Sequence, residues 1–328
     1  MSQKAWKKNL LRSSFPFEYE VAKILSNEKF YINSDFSYRR LDGNQEKEFS
    51  VDILATCYYP FGDESQIDLD FDLLVECKYR DPNKEWIFLP QVRHPHDQTS
   101  DSMIEFVDSL SVQKFMKLSN FYLKDVAYKG MEVNLDRGDV HDAEILHGLS
   151  QLIFAAPVVI KNNVLSSITS DAVDVSPFAI ANLLVTSAQL RIVNEDFSVE
   201  KLKASDELLN FSRVVPYLIY NHSGYDSLTT HVKNLFQDVP NNFDSNVNLS
   251  LYSKLHEVSI PWNNSPDGQE IKLSSTRILI NQLKEGETLY NTKNILICNI
   301  DYLEMLLKDI KDIVAKVGDS IVPANSNN

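Results

Sequence analysis

Ten residues, Phe71 to Arg80 (Phe-Asp-Leu-Leu-Val-Glu-Cys-Lys-Tyr-Arg), constrain this chain more than any other stretch. Leu73, Leu74, Val75, Cys77 and Tyr79 predict a strand inside a sheet, and Glu76 and Lys78 interrupt it two residues apart. In a strand that spacing puts both side chains on one face. Burying an unpaired carboxylate or ammonium costs several kcal/mol, so a Glu-x-Lys within an apolar strand calls for a compensating partner. A divalent cation is one such partner, and this face is the candidate active site.

A second strand is predicted over Phe49 to Tyr59, with Asp52 just inside its start and Ile53, Leu54, Ala55 and Cys57 following. Pro60, Gly62, Asp63 and Ser65 between the two runs are turn residues, which suits an antiparallel hairpin with a somewhat long tip. Such a hairpin brings Asp52 beside Glu76. Two adjacent carboxylates repel and raise the pKa of one, unless a cation between them favours the charged form of both. Asp52, Glu76 and Lys78 together read as a hard-metal site. The competing reading is a surface-edge strand with a Glu–Lys pair, which leaves the charges within the apolar run without a reason.

Val51-Asp52, an acidic-tipped hairpin and then Glu76-Cys77-Lys78 resembles the catalytic core of the PD-(D/E)xK, or restriction-endonuclease-like, nuclease superfamily. The likeness is greatest to its methylation-dependent restriction branch, in which a Phe-Glu-x-x-Val helix precedes the core. Here that helix reads Phe17-Glu18-Tyr19-Glu20-Val21. The Pro of the family's name is Val51 in this chain, and the resemblance covers roughly the first third of it.

The resemblance implies a metal-dependent endonuclease that hydrolyses phosphodiester bonds, with DNA as substrate, RNA not separable from it, and a role in restriction or defence. Asp52, Glu76 and the backbone carbonyl of Cys77 are then expected to hold one Mg²⁺ (or Mn²⁺) at about 2.0–2.1 Å. Lys78 is expected to orient or deprotonate the attacking water, and Glu18 to hold a second ion or a water. Near a helix start a carboxylate such as Glu18 or Glu20 is also favoured by the helix dipole alone. Many nucleases of this kind cut two strands as homodimers. The alternative is a non-catalytic binding or assembly module that retains the fold.

Composition bears on that choice. The net charge of −14 argues against a broad basic nucleic-acid surface and suits a protein partner better. Locally, however, Lys4, Lys7, Lys8, Arg12, Arg39, Arg40, Lys78 and Arg80 all fall in the catalytic third. Cys57, Cys77 and Cys298 sit in apolar contexts without Cys-x-x-Cys spacing and read as buried thiols in a reducing compartment. With no secretory or membrane-spanning run in evidence, a cytoplasmic protein without a membrane partner is expected.

The expected fold class is α/β: a restriction-endonuclease-like mixed β-sheet core over residues 1–130, flanked by helices. A strand-rich α/β extension is expected over 131–318, packed on or continuing the core, with a disordered tail at 319–328. A first helix is expected over 14–30, capped by Ser14 and buried through Phe17, Val21, Ile24 and Leu25. Helices are expected over 104–124 (Val107, Leu110, Phe115, Leu118, Phe121) and over 140–155 (Leu146, Leu149, Ile153). Strands are expected at 86–89, 156–160, 214–220 and 294–300, and a hairpin or long bent strand at 183–193. The last strand leads into a C-terminal helix with an Asp301/Glu304 capping box and a Leu303, Leu306, Leu307, Ile310, Ile313 stripe. His141, Glu144 and His147 read as a solvated helix face, His94 and His96 as a solvated turn, and Gln91 as a weak candidate for positioning water. Gly-rich phosphate loops, Gly-x-Ser-x-Gly and His-Glu-x-x-His are all absent from the sequence.

Overall fold

A computed structural model describes residues 3–43, 45–62, 67–92, 103–108, 114–118, 125–169, 177–222, 226–239, 269–275, 283–286 and 293–321. The chain opens with helix α1 (Gln3–Arg12), then α2 (Phe15–Asn27), which buries Phe17, Val21 and Leu25 at helical spacing. Ser14 does not cap α2 as expected: its φ is +60° and its side chain makes no cap bond, because α1 ends so close before it that Ser14 turns the chain instead.

Fourteen strands among the described residues join in one mixed sheet. β1 (Tyr31–Asp42), β2 (Gln45–Tyr59) and β3 (Leu69–Lys78) form an antiparallel meander at one end. β4 (Lys84–Pro90), β5 (Ile104–Asp108), β6 (Lys114–Leu118), β7 (Val126–Asn134) and the short β8 (Val140–His141) follow, then helix α3 (Ala143–Thr169). β9 (Phe178–Thr186) pairs parallel with β3 and places that strand inside the sheet. β10 (Gln189–Val193), α4 (Val199–Lys203), β11 (Ser212–Val214), β12 (Tyr217–Asn221), α5 (Asp226–Phe236), β13 (Gln269–Ser275), β14 (Asn294–Asn299) and α6 (Leu303–Ile321) complete the order. Across the sheet the strands run β1-β2-β3-β9-β14-β12-β7-β4-β10-β11, so early and late segments interleave in one mixed α/β layer.

Helices cover both faces. One core joins Ile145, Leu149 and Leu152 of α3 and Val232 and Phe236 of α5 to Leu74, Trp86 and Leu184. The other joins Phe17, Val21 and Leu25 of α2 and Leu306, Leu307 and Ile310 of α6 to Phe71, Leu73, Val75 and Cys77. Alternation along β3 therefore sends Phe71, Leu73, Val75 and Cys77 toward α2 and α6, and Leu74 with Glu76 toward α3. The outer hairpin changes face partway along. Ile53 packs on the α2 side and Val51 on the α3 side, while Ile32 and Phe36 of β1 divide in the same way. At the level of this change stands Asp35, with a left-handed φ of +57° between the Ser34–Ile53 and Phe36–Val51 pairs.

Several expected elements differ. The segment after Met103 forms β5 and β6 where helices were expected, with Leu110 and Phe121 outside the described residues. β5 is buried on both sides, Phe106 in one core and Val107 in the other, so its apolar residues carry no readable period. The strand expected at 156–160 is the middle of α3, which continues through Pro157. An interior proline costs about 3 kcal/mol, and α3 tolerates it because Ala155, Ala156, Val159 and Ile160 bury on several sides at once. Residues 183–193 are not a hairpin: β9 pairs with β3, β5 and β14, whereas β10 pairs with β4 and β11. Asn299, not Asp301, provides the cap before α6, accepting the Asp301 N–H at 2.9 Å. Helix α6 takes in Asp319–Ile321, the start of the expected tail; 322–328 lie outside the described residues, as do His94 and His96.

The three cysteines are free and buried, as expected. Contrary to the expectation of no such run, the stretch Ala143–Ser166 is long and apolar enough to cross a membrane by length and composition; 61% of its window is buried within the fold, as in a core helix.

Candidate active site

The β2–β3 ladder ends at the Ile53–Val75 pair, and Asp52 stands one residue beyond it on β2, as Glu76 does on β3. Asp52 stands where β2 exchanges its inward face. Its Oδ2 accepts the backbone N–H of Cys77 at 2.7 Å, a charge-assisted bond that ties the carboxylate to the residue after Glu76. Glu76 is 1% exposed, and its Oε1 accepts from Lys78 Nζ at 2.6 Å. Its other oxygen, Oε2, is buried without a hydrogen-bond partner. Gly148 of α3 makes room for this arrangement, since a Cβ there would lie 2.8 Å from Leu184 Cδ1, 3.3 Å from Lys78 Cε and 3.4 Å from Glu76 Cγ.

Burial dominates the electrostatics. It pushes the Glu76 carboxyl up to about 8, against the opposing pull of Lys78, and the neighbouring Asp52 charge adds to the rise. Asp52 is also raised, first by burial, with the Cys77 N–H and Lys78 pulling the other way. Half-buried Glu18 is raised by burial and then by the charges of Asp52 and Asp35, while Lys78 lowers it. Glu18, Asp52, Glu76 and Lys78 thus share one electrostatic environment, whereas Glu20 on α2 is exposed. Cys77 feels all four of these charges, and burial holds its thiol well above the usual range. Of its groups, only the N–H has a defined part here.

Three residues not assigned to the site in the sequence reading flank it. Asp35 adds a carboxylate that acts on Asp52 and Glu18; turn-forming Asn33 and Ser34 before it are the only local signal. Read as solvated, His147 lies within electrostatic reach of Lys78, Glu144, Arg40 and Asp52, and burial followed by the Lys78 charge lowers its proton affinity. Glu144, also read as solvated, pairs with Arg80.

His141, third of that presumed helix face, is in β8 and not on a helix, with Nε2 at 3.3 Å from Glu132. Glu132 is fully buried and gathers Lys84, Trp86 Nε1 at 3.0 Å and Arg80, whose Nε lies 3.0 Å away as an ion pair. Burial would raise this carboxyl, yet Lys84, Trp86 and Arg80 together hold it below its usual range. Arg80 is accordingly engaged by protein acids, which removes one of the cations counted near the site. Gln91 pairs its backbone N–H with the Val126 carbonyl at 2.8 Å, and its side-chain oxygen is buried without a partner.

Further along the α3 side of β3, a cleft of about 230 Å³ is lined by Thr56, Asp70, Asp72 and Asn163 among others. Asp72 is satisfied there by Thr56 Oγ1 at 2.5 Å and Asn163 Nδ2 at 2.7 Å, so it has no need of a ligand.

Oxygen donors suit hard divalent cations, and the unpartnered Glu76 Oε2 beside Asp52 fits that chemistry. Among the described residues no three His, Cys, Asp or Glu side chains are grouped as a ready ligand set, so the fit rests on two carboxylates with waters and a backbone carbonyl making up the remainder. No family model matches the chain, and neither a curated protein nor a solved structure matches it.

Proposed function

We propose that the chain is a metal-dependent phosphodiesterase of the restriction-endonuclease-like kind, acting on DNA as an endonuclease, with RNA as the alternative polymer. One observation carries the reading: a buried carboxyl, Glu76, has one oxygen held by Lys78 at 2.6 Å and the other without a hydrogen-bond partner, and the Asp52 carboxylate is tied to the next residue, Cys77, at 2.7 Å. A strand interior does not keep such an oxygen for stability, because a buried polar atom without a hydrogen-bond partner destabilises the fold, and burial has already pushed this carboxyl up to about 8.

Asp52, Glu76 and the Cys77 carbonyl would hold Mg²⁺ or Mn²⁺, with Glu18 on a water or a second ion. When bound, the cation would supply Lewis-acid stabilisation of phosphoryl charge and an acidified water. The chain's own part is positional. Asp52 is fixed by the Cys77 N–H, and Glu76, next to Cys77 on β3, is held in the sheet by its pairing with Leu184 of β9. Lys78 Nζ, 13% exposed at its side chain, would orient the attacking water and offset charge growing on the phosphate. The shared burial of these groups strengthens each electrostatic contact.

The decisive experiment incubates the protein with plasmid DNA, single-stranded DNA and RNA, each with and without Mn²⁺. Metal-dependent cleavage lost in Lys78→Ala supports the reading; cleavage retained by that variant would sink it. The net charge of −14 favours a second reading, a non-catalytic module with a protein partner. That reading requires no saturable Mg²⁺ or Mn²⁺ binding at Asp52.

A further inference from the structure

Arg40 of β1 is held in an unusual way for a cation in so acidic a chain. Its guanidinium carbon lies 4.1 Å from the ring centre of Phe49 and 3.9 Å from that of Phe154, so an aromatic ring of β2 and one of α3 clamp it. Nη1 donates to Ser150 Oγ at a long 3.4 Å, and Nε is buried with no hydrogen-bond partner. Among the described residues no carboxylate comes within ion-pair distance of it. Asp42 feels its charge, yet pairs with Lys47 at 2.6 Å. The chain has 46 acidic side chains against 32 Lys and Arg, so an arginine left without one must have its charge answered by something else.

Its position connects it to the carboxylates. Ser150, which touches Arg40, is two residues along α3 from Gly148, which packs on Glu76 and Lys78. Residues two apart on a helix point to different sides, so the link runs through His147, which adjoins Gly148 and stands three residues before Ser150 on the same side of α3. His147 feels the charges of Arg40, Lys78 and Asp52 together. With Nε occluded, the Nη1–Nη2 edge of this guanidinium, stiffened by two rings and lacking an acid, is the pair of donors a bidentate oxyanion would take.

We propose that Arg40 is a phosphate-binding site that grips the substrate backbone next to the Asp52–Glu76 pair. The nature of the substrate rests on the phosphodiesterase reading; the anion site itself does not. Arg40 acts as a binding residue for a phosphate that is not being cleaved. Its loss therefore raises KM and leaves kcat within a few-fold.

The test uses the full chain and two substitutions. Arg40→Met keeps an apolar stem for the two rings and removes the charge, and Arg40→Lys keeps the charge and removes the fork. Thermal unfolding is followed with inorganic phosphate against chloride at equal ionic strength. Phosphate should raise Tm in the wild type, less in Arg40→Lys and not in Arg40→Met. Binding of a labelled oligonucleotide to the Asp52→Asn protein, with and without Arg40→Met, is then measured across salt. Removing Arg40 should reduce the slope of log K against log salt by about 0.9 for duplex or about 0.7 for single strands.

An undiminished phosphate response in Arg40→Met overturns the proposal. A phosphate response at Arg40 with unchanged oligonucleotide slope and KM overturns the backbone assignment. If Arg40→Met does not fold, an Arg40→Lys protein with wild-type phosphate response and KM overturns it equally. Phosphate sensitivity lost in Arg40→Met, with no cleavage of any nucleic acid, keeps the anion site and rejects the phosphodiesterase. Cleavage with a phosphate-indifferent Arg40 does the reverse.

Discussion

Asp52 holds the backbone of Cys77 through a 2.7 Å bond, so one carboxylate both faces Glu76 and closes a main-chain donor of β3. The two roles separate on substitution. Asp52→Asn keeps an acceptor for the Cys77 N–H and should remove metal-dependent cleavage with little change in melting temperature. Asp52→Ala strands that buried N–H, at a cost of about 1–3 kcal/mol. It should lose activity and also melt several degrees lower, at roughly 2–4 °C per kcal/mol. Equal melting temperatures for the two variants would mean that the hydrogen bond is energetically idle.

Glu76 makes stability depend on pH in a defined direction. Its folded pKa, pushed up to about 8 from 4.5, means that the folded chain binds its proton more tightly than the unfolded one. Stability from this group is full below pH 4.5 and lost as pH rises toward 8. Relative to wild type, Glu76→Gln should gain melting temperature progressively between pH 5 and pH 8. A gap that is flat across that range would show that Glu76 titrates normally.

Mg²⁺ or Mn²⁺ should offset the same penalty. At 100 times its dissociation constant a ligand stabilises the folded state by about 2.7 kcal/mol. Differential scanning calorimetry at pH 8 should therefore show a rise in melting temperature with Mn²⁺ that Asp52→Asn abolishes. A rise that survives this substitution would place the ion elsewhere.

Gly148 tests the packing of α3 on the site. Alanine gains up to about 1 kcal/mol in a helix over glycine. Here its Cβ would meet buried Leu184 at 2.8 Å and press on Lys78, and overpacking costs about 1–3 kcal/mol. Gly148→Ala should melt a few degrees lower and cleave about tenfold more slowly. Unchanged melting and turnover would show that α3 shifts without consequence.

Glu132 holds a network rather than a catalytic group. Glu132→Ala leaves Trp86 Nε1, Arg80 and Lys84 without their common acceptor, and breaking a buried ion pair costs about 3–5 kcal/mol. Chemical denaturation should report a loss of that size. A loss under 1 kcal/mol would mean that water replaces the carboxylate.

That Glu76 and Lys78 share a face of β3 was legible in the sequence because charges at period two within an apolar strand declare their face. The antiparallel β2–β3 hairpin was legible from the turn residues between its strands, the buried stripes of α2 and α6 from helical periodicity, and the free cysteines from their lack of Cys-x-x-Cys spacing. Asp35 and Glu132 were not, since each owes its place to pairing across the sheet and neither interrupts a recognisable pattern. The strand expected at 156–160 was not legible as helix: the run is apolar on all sides and contains Pro157, and burial against β3, β9 and α5 keeps it helical. Arg80 looked available for phosphate until Glu132 and Glu144, distant in sequence, were seen to hold it.

β3 reaches its second neighbour, β9, only after about a hundred further residues, and β9 in turn waits for β14 near the end of the chain. On the ribosome, then, the hairpin bearing Asp52 and Glu76 emerges early with one hydrogen-bonding edge bare. Contacts so remote along the sequence form slowly. A nascent chain that stalls before residue 178 carries Asp52 and Glu76 on a sheet it cannot yet finish, and chaperone capture is most valuable in that interval.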